Sequence, residues 1–217
     1  MGIQIISKKA SELTLKEISI MNDSRVEIWG AGAKVDFKKD DAKGEFIFVR
    51  NKGKIMAFGM MKPVKIILDK KKYEILGIGR GMAIEKRKGW GKILNDARIL
   101  RLKESGKTGV AFTGRHNLAF FEKAGYKIRK NQIRKFLYKN PEGKLIEDND
   151  GDLVYYEGKD KFVTKLLKSK NNSIIKYPLK IPFNSISLSS LSIFNNFFSF
   201  LCLTLIIFCL STVYCLL

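Results

Sequence analysis

The sequence predicts an α+β protein: a mixed, mostly antiparallel central sheet flanked by helices, with an apolar helix added at the C-terminus. The order of periodic segments supports this class, because an antiparallel meander of strands runs into a strand–helix–strand unit. The distribution of charge supports the added helix. Residues 1–158 carry 34 basic and 20 acidic side chains, whereas residues 181–217 carry no charge. A chain of 217 residues suits one domain of ordinary size with an appendage.

The N-terminal half of the body contains the start of the meander. Residues 3–7 alternate weakly as a strand, and the Ser-Glu-Leu-Thr run at 11–14 opens a helical pattern that reaches Trp29 before Gly-Ala-Gly breaks it. Residues 45–50 (EFIFVR) alternate as a second strand. The turn Asn-Lys-Gly-Lys then leads into a long strand over residues 55–68.

The C-terminal half of the body contains the strand–helix–strand unit. A strand loosened by glycines at 73–84 is followed by a basic turn and a helix at 92–105. Five apolar residues lie on or near one face of that helix: Ile93, Leu94, Ala97, Leu100 and Leu102. The remaining predicted elements are a short buried strand at 109–113, a short helix at 117–123, an extended segment at 126–138 and a closing strand at 152–157.

The C-terminal region predicts a membrane anchor behind a domain formed by residues 1–158. Residues 159–196 read as a linker that is first basic and then rich in Ser and Asn, with seven lysines among residues 159–180. Residues 197–217 are uncharged and just cover a hydrocarbon core of about 30 Å. The preceding lysines then place the body in the cytoplasm. Two alternatives stay open, a core helix of a soluble domain and an incidental tail encoded by an AT-rich frame.

Cysteine and histidine usage excludes several kinds of site in the body. The three cysteines all lie in the uncharged tail, at 202, 209 and 215, so residues 1–201 have no disulfide framework, Cys-based zinc site or Cys nucleophile. His116 is the only histidine, which excludes a multi-His metal site. We therefore expect no metal cofactor.

The turn at residues 86–92 has the composition of an anion cradle. Glycines at 89 and 91 let the backbone approach a ligand closely, and the start of a helix adds N–H groups and the positive end of its dipole. Basic side chains at 86–88 and 92 would neutralise a pyrophosphate. Neither Gly-x-x-x-x-Gly-Lys-Ser/Thr nor Gly-x-Gly-x-x-Gly is met here. A basic, solvated helix start is the alternative interpretation.

Two segments together resemble the GNAT superfamily of N-acetyltransferases. The turn is similar to that family's Arg/Gln-x-x-Gly-x-Gly/Ala pyrophosphate signature, with Lys86, Gly89 and Gly91 at the signature positions. Residues 115–126 (RHNLAFFEKAGY) are similar to the family's second motif, an Asn followed by a short helix that ends Phe-Tyr-Glu-Lys-x-Gly-Phe. The resemblance covers residues 3–157 and implies a GNAT-like fold.

The resemblance also implies a reaction. An acetyl group would move from acetyl-CoA, a co-substrate, to a primary amine that attacks the thioester directly, and the Ala83 N–H would stabilise the tetrahedral intermediate. A splayed gap between the strand that ends at Ile84 and the strand that starts at Gly109 would admit the cofactor. The implied cofactor-binding residues are Met82, Ala83, Ile84, Arg87, Lys88, Gly89, Trp90, Gly91, Lys92, Asn117, Phe120 and Phe121.

Several residues depart from the family pattern or leave the catalytic groups open. The Tyr that usually protonates the departing thiolate falls on Phe121, and the connection from Ile84 to the turn is shorter than usual. Glu85 and His116 are the candidate bases. The alternatives are that Glu85 balances the charge of its basic neighbours and that the His116 imidazole has no catalytic task.

The acceptor and the partners are less defined. Glu27 and Trp29 are candidate acceptor contacts, and residues 137–157 look loosely like the aminoglycoside 2′-N-acetyltransferase branch, although a cationic body suits polycationic aminoglycosides poorly. Two other functions compete. One is a degenerate GNAT fold that binds acyl-CoA without turnover; the other is binding to nucleic acid or an anionic surface, including a membrane. Scattered basic residues argue against nucleic acid. A homodimer is compatible with the family.

Overall fold

A computed structural model describes residues 2–139, 144–147 and 151–175. The predicted anchor at 197–217 and the part of the predicted linker beyond residue 175 lie outside the described residues, and both stay predictions. Among the helices of the described ranges, none is long and apolar enough to cross a membrane.

The described chain contains ten strands, five α-helices and four short 3₁₀ turns. The strands are β1 (Ile3–Lys9), β2 (Glu45–Asn51), β3 (Lys54–Leu68), β4 (Lys71–Ala83), β5 (Gly109–Thr113), β6 (Lys127–Arg129), β7 (Phe136–Lys139), β8 (Leu145–Glu147), β9 (Asp152–Tyr156) and β10 (Ser173–Ile175). The helices are α1 (Leu15–Trp29), α2 (Phe37–Asp40), α3 (Trp90–Ser105), α4 (Leu118–Lys123) and α5 (Phe162–Lys168). The 3₁₀ turns are Ala10–Glu12, Ala31–Ala33, Arg115–Asn117 and Ile133–Lys135.

These strands form one mixed sheet. Its main path runs β6-β9-β5-β4-β3-β10-β7-β8, and β2 joins β3 and carries β1 on its outer side. Among the described strands, the parallel pairs are β4 with β5 and β7 with β10, and the other pairs are antiparallel. The predicted α+β class, with a mostly antiparallel sheet flanked by helices, is confirmed.

Helix α1 begins later than the sequence pattern suggested. The Thr14 hydroxyl accepts the Glu17 N–H at 3.2 Å, and the Glu17 carboxylate accepts the Thr14 N–H at 2.9 Å. This reciprocal cap starts the helix at Leu15 and leaves residues 10–12 as a separate 3₁₀ turn. The helix ends at Trp29 and is capped by Gly30, whose φ of 81° a residue with a side chain rarely adopts.

The helices cover opposite faces of the sheet. Residues of β2 show the alternation, because Ile47 belongs to the apolar cluster of Leu94 on α3, whereas Phe48 belongs to the cluster of Met21 on α1. The prediction for the apolar face of α3 is wrong at Leu100, which is 57% exposed. A different residue of α3, Arg98, is buried against the sheet.

The structure corrects the boundary placed at residue 158. Helix α5 and strand β10 belong to the body: Phe162, Leu166 and Ile175 are buried in one apolar cluster with the strands. Strand β10 lies between β3 and β7. The lysines of residues 159–170 concealed this in the sequence, since they are interspersed with apolar side chains, such as Phe162 and Leu166, that face inward.

Candidate functional site

Strands β4 and β5 separate soon after they meet. Their parallel pairing consists of Leu76 with Gly109 and Gly77 with Val110. Beyond that point β4 continues to Ala83 along β3, while β5 pairs with β9 on its far side. A wedge-shaped cleft therefore opens between the C-terminal parts of the two parallel strands, at the place where the family resemblance implied a splayed gap.

A β-bulge in β4 lies beside this cleft. The register with β3 shifts between Phe58, which faces Met82, and Met60, which faces Gly79. The β4 side of the bulge has one residue more than the β3 side, and within it Arg80 lies in the left-handed region, with a φ of 54°. Such a bulge bends the strand and increases its local twist, which turns the end of β4 away from β5.

Backbone groups of Ala83 point into the cleft. The Ile84 N–H donates to the Met56 carbonyl at 2.9 Å, so Ala83 and Ala57 form a non-hydrogen-bonded pair in the antiparallel ladder. The N–H and C=O of Ala83 consequently turn away from β3. Of the three residues expected to bind a cofactor through their backbone, Ile84 therefore has its N–H occupied by β3, and the alternation turns the backbone groups of Met82 toward β3 as well.

Helix α3 begins at the mouth of the cleft. Gly89 adopts a φ of 80°, and its carbonyl accepts the N–H groups of Lys92 at 3.0 Å and Ile93 at 3.2 Å. The N–H groups of Trp90 and Gly91 come before the first intrahelical hydrogen bonds and have no partner in the described part of the chain. These two donors, together with the positive end of the helix dipole, suit an anion.

Side chains around the start of α3 are basic and exposed. Lys86, Arg87 and Lys88 are all exposed, and Arg87 has a φ of 61° that turns the chain toward the helix. The Lys92 ammonium lies 2.7 Å from the Asp96 carboxylate on the outer surface of α3. Because this pair is solvated, it is worth little and leaves Lys92 able to move toward a phosphate.

Helix α4 contributes an aromatic wall. A Cβ placed on Gly91 would lie 3.1 Å from the Phe120 ring and 3.9 Å from the Cβ of Ala83. Residues from β4, α3 and α4 thus meet at one point, and only a residue without a side chain fits at Gly91 without moving Phe120. The Phe120 side chain is 44% exposed, so part of the ring faces the cleft.

The other residues predicted for this site are placed less directly. The Asn117 amide donates to the Thr113 hydroxyl at 3.1 Å, which joins α4 to the end of β5. Phe121 and the Trp90 side chain pack into the apolar cluster beneath α3, so Trp90 offers its backbone rather than its indole to a ligand. Phe121 contacts Phe120 edge to face, with a centroid separation of 5.5 Å.

The two candidate bases lie on the surface. Glu85 and His116 are both exposed, and the His116 ring lies over Gly114 in the turn that precedes α4. His116 Nε2 lies 3.1 Å from the Asn117 amide nitrogen, which connects it to the residue that joins α4 to β5. The structure brings Ala83, Gly91 and Phe120 together but leaves both bases at the rim.

Sequence reasoning missed a buried cation below the cleft. Arg98 is 2% exposed; its Nη2 donates to the Gly79 carbonyl at 2.7 Å and its Nη1 to the Asn95 side chain at 3.1 Å. Burial lowers the pKa of Arg98, with a smaller opposing effect of Tyr126. Burial raises the pKa of the Tyr126 phenol to about 12, and the nearby positive charge of Arg98 opposes that rise. The signal in the sequence that could have indicated this buried cation is the position of Arg98 on the apolar face of α3.

The candidate acceptor residues at the end of α1 occupy the opposite face of the sheet. Glu27 is exposed, and Trp29 is 40% exposed beneath the guanidinium of Arg25, whose carbon lies 5.0 Å from the ring centre. Within the described ranges, no group of three or more His, Cys, Asp or Glu side chains could hold a metal ion.

Comparisons with known proteins find likeness of structure. No protein-family model and no curated protein matches the sequence. Among solved structures, Escherichia coli ElaA has 14% identity and a TM-score of 0.49, with 71% of this chain and 99% of that chain covered. A GNAT family acetyltransferase from Elizabethkingia anophelis with acetyl-CoA bound has 19% identity and a TM-score of 0.43, with 71% and 95% covered. A Bacillus subtilis acetyltransferase in complex with CoA has 20% identity and a TM-score of 0.47, with 70% and 97% covered. The likeness concerns the fold.

Proposed function

We propose that the chain is an N-acetyltransferase that moves the acetyl group of acetyl-CoA to a primary amine. The observation that carries this proposal is the convergence of three features on one cleft. The open edge of β4 presents the N–H and C=O of Ala83, the start of α3 presents two unpartnered N–H groups, and Phe120 covers the point between them. These features match a ligand with an amide-containing arm and an anionic end.

The pyrophosphate of CoA would bind at the start of α3. The N–H groups of Trp90 and Gly91 would donate to phosphate oxygens, and the exposed side chains of Arg87 and Lys88 would supply positive charge. Gly91 suits this position because it has no Cβ to press against the Phe120 ring. Arg87, Lys88 and Lys92 would account for the salt dependence of binding.

The pantetheine arm would lie along the open side of β4, in the place that a neighbouring strand would take. The two backbone groups of Ala83 would bind different parts of the arm. The Ala83 C=O would accept a hydrogen bond from a pantetheine amide, or the Ala83 N–H would donate one to the thioester oxygen. Phe120 and the amide of Asn117 would border the arm on the β5 side.

The reaction needs little chemistry from the protein. A neutral amine would attack the thioester carbonyl and form a C–N bond. The tetrahedral oxyanion would accept a hydrogen bond from the Ala83 N–H. The C–S bond would then break, and the thiolate would leave. The amine gives up a proton, which Glu85 or His116 at the rim would take directly or through water. Most of the acceleration would come from holding the two reactants together.

Phe121 favours a second candidate, binding of acyl-CoA without turnover. Its ring lies among Phe120 and Tyr126, with centroids 5.5 and 5.6 Å away, and it has no proton for a departing thiolate. Tyr126 is a poor substitute because burial raises the pKa of its phenol to about 12 and its hydroxyl is enclosed. A thiolate of CoA can leave without an acid, so this candidate stays second.

Calorimetric titration of the full-length protein with acetyl-CoA tests the site. Gly89→Glu places a side chain at a φ of 80° and a carboxylate beside the pyrophosphate. Gly53→Glu is the matched control, since Gly53 also has a φ of 80° and open space around its Cβ position, but lies in the β2–β3 turn. Both variants carry the same backbone strain of about 1–2 kcal/mol and the same change of charge.

We expect micromolar binding by the parent protein, a loss of at least about tenfold in Gly89→Glu, and no loss in Gly53→Glu. No binding by the parent protein, or equal losses in the two variants, would contradict the proposed site. Release of free thiol in the presence of primary amines then separates transfer from binding alone: binding without thiol release would leave the second candidate.

A further inference from the structure

The face of β4 opposite α3 carries a second group of charged side chains, formed by Arg25, Asp41, Lys62 and Arg80. Asp41, which is 3% exposed, accepts a hydrogen bond from Arg80 Nε at 2.9 Å and lies 3.5 Å from Lys62 Nζ. Arg25, 5% exposed, lies close enough for its charge to interact with Arg80 and Asp41. The Asp41 carboxylate therefore contacts two of these cations, Arg80 and Lys62, and interacts with Arg25 only through its charge.

Arg25 is the cation that this carboxylate does not bind. Its Nε donates to the Ala33 carbonyl at 2.9 Å, and its guanidinium stacks on Trp29. Its two terminal nitrogens have no hydrogen-bond partner in the described ranges and are not fully enclosed. One of the five N–H donors of Arg25 thus holds the loop after α1, and the four on the terminal nitrogens stay available to a ligand.

The surroundings of Arg25 disfavour a buried positive charge. Burial, and after it the positive charge of Arg80, lower the pKa of Arg25 to about 10, although the charge of Asp41 opposes the decrease. A cation in such surroundings is costly to keep charged unless an anion joins it. The stacked Trp29, 40% exposed, keeps the buried guanidinium in one orientation just below the surface.

This group lies near the place where the reaction would occur. Arg80 is the left-handed residue of the bulge, and Ala83 follows three residues later on the same strand, about 10 Å at 3.3 Å per residue. Met82 packs into the cluster under α1, whereas Ala83 packs toward α3. An amine that reaches Ala83 from the α1 face would pass Arg80 and Arg25.

We propose that Arg25, stacked on Trp29 and next to Arg80, binds an oxyanion carried by the acceptor amine, a carboxylate or a phosphate. This inference rests on the proposed function and narrows its substrate class. A guanidinium fork suits either oxyanion with two parallel hydrogen bonds. Amines with additional positive charges are repelled by the same residues, which disfavours polyamines and aminoglycosides as acceptors.

Two matched pairs of amines test this. β-Alanine and β-alaninamide differ by a carboxylate charge, and phosphoethanolamine and ethanolamine differ by a phosphate. Each is titrated by calorimetry into the full-length protein, with and without saturating CoA. We expect the anionic member of one pair to bind about 10- to 100-fold more tightly than its partner, and the pair that discriminates identifies the oxyanion.

Three variants of the full-length protein decide whether Arg25 is responsible. Arg25→Gln should abolish the preference without changing acetyl-CoA affinity, and Trp29→Leu, at a half-exposed position that tolerates change, should reduce it. Arg101→Gln removes one positive charge from the exposed surface of α3 and should keep the preference. Equal binding within both pairs, or a preference that persists in Arg25→Gln or falls equally in Arg101→Gln, would overturn the proposal.

The two proposals fail in different ways. If the parent protein does not bind acetyl-CoA, the proposed function fails, and the titrations without CoA still decide whether Arg25 binds an oxyanion. If acetyl-CoA binds but neither pair discriminates, the acceptor inference alone fails.

Discussion

Gly59→Ala is expected to destabilise the protein strongly, because Arg98 passes directly over Gly59. A Cβ at Gly59 would lie 1.9 Å from Nη2 and 2.6 Å from Cζ of Arg98. The guanidinium cannot move aside, because the Cβ position of Gly81 is only 2.9 Å from Nη1 and Arg98 is 2% exposed. The added methyl group therefore has to break the 2.7 Å hydrogen bond from Nη2 to the Gly79 carbonyl.

The expected cost is about 3–5 kcal/mol of unfolding free energy. Overpacking a well-packed core costs about 1–3 kcal/mol, and loss of a hydrogen bond to a buried charged group adds about 1.5–3 kcal/mol. In an Arg98→Ala background the same substitution should be neutral or stabilising by about 0.5 kcal/mol, because Ala loses less backbone entropy than Gly in a strand. The coupling energy between Gly59 and Arg98 should thus be at least about 3 kcal/mol.

Urea unfolding of the four members of this cycle, followed by tryptophan fluorescence, measures the coupling. Gly79→Ala is the matched control, since the nearest atom to its Cβ position is the Met60 methyl at 3.7 Å, an ordinary contact. A cost below about 1 kcal/mol for Gly59→Ala, or an undiminished cost in the Arg98→Ala background, would refute the close approach of Arg98 to Gly59.

Two further predictions concern the ends of the domain. Phe162→Ala should lower the free energy of unfolding by about 3–5 kcal/mol, because the ring is fully buried and its centroid lies 5.3 Å from that of Tyr73; a cost below about 1 kcal/mol in urea unfolding would exclude α5 from the core. Glu17→Gln should cost about 1–3 kcal/mol at pH 7. Burial raises the pKa of Glu17, but hydrogen bonds from Lys8 and Thr14 outweigh it, so the pKa in the folded protein lies below the ordinary 4.5. The stability from this carboxylate is then present above pH 4.5 and is lost as the pH falls through the folded value, so the difference between parent and variant should shrink in acid unfolding; a difference independent of pH would contradict this assignment.

The parts of the site that depend on local chain geometry could be predicted from the sequence. The glycines and basic residues of 86–92 indicated a strand that turns into a helix, and the structure places Gly89 in the left-handed region directly before α3. The spacing of residues 115–126 indicated a short helix after a strand, and α4 brings Phe120 to Gly91. Such motifs are readable because backbone conformation and residue type are coupled over a few positions.

Other features depend on contacts between distant segments. Which face of α3 receives a buried side chain is set by the glycines of β3 and β4, so Arg98 is buried while the apolar Leu100 is exposed. The Ile84 N–H is unavailable because of its alignment with Met56. Helix α5 belongs to the core because β10 finds a place between β3 and β7. None of these pairings leaves a periodic signal in the sequence.

The sequence by itself determined the fold class, the order of the principal elements and the turn that begins α3, since hydrophobic periodicity and glycine placement act within short segments. Tertiary structure alone decided where β4 leaves β5, which backbone groups of β4 stay open, and which charges share a buried region. Arg25 and Asp41 are far apart from Arg80 along the chain and interact only because α1 and the segment before β2 pack on the face of β4 opposite α3. The physical reason is that ladder register and side-chain burial depend on the partner that a strand or helix meets, and a single chain segment does not specify that partner.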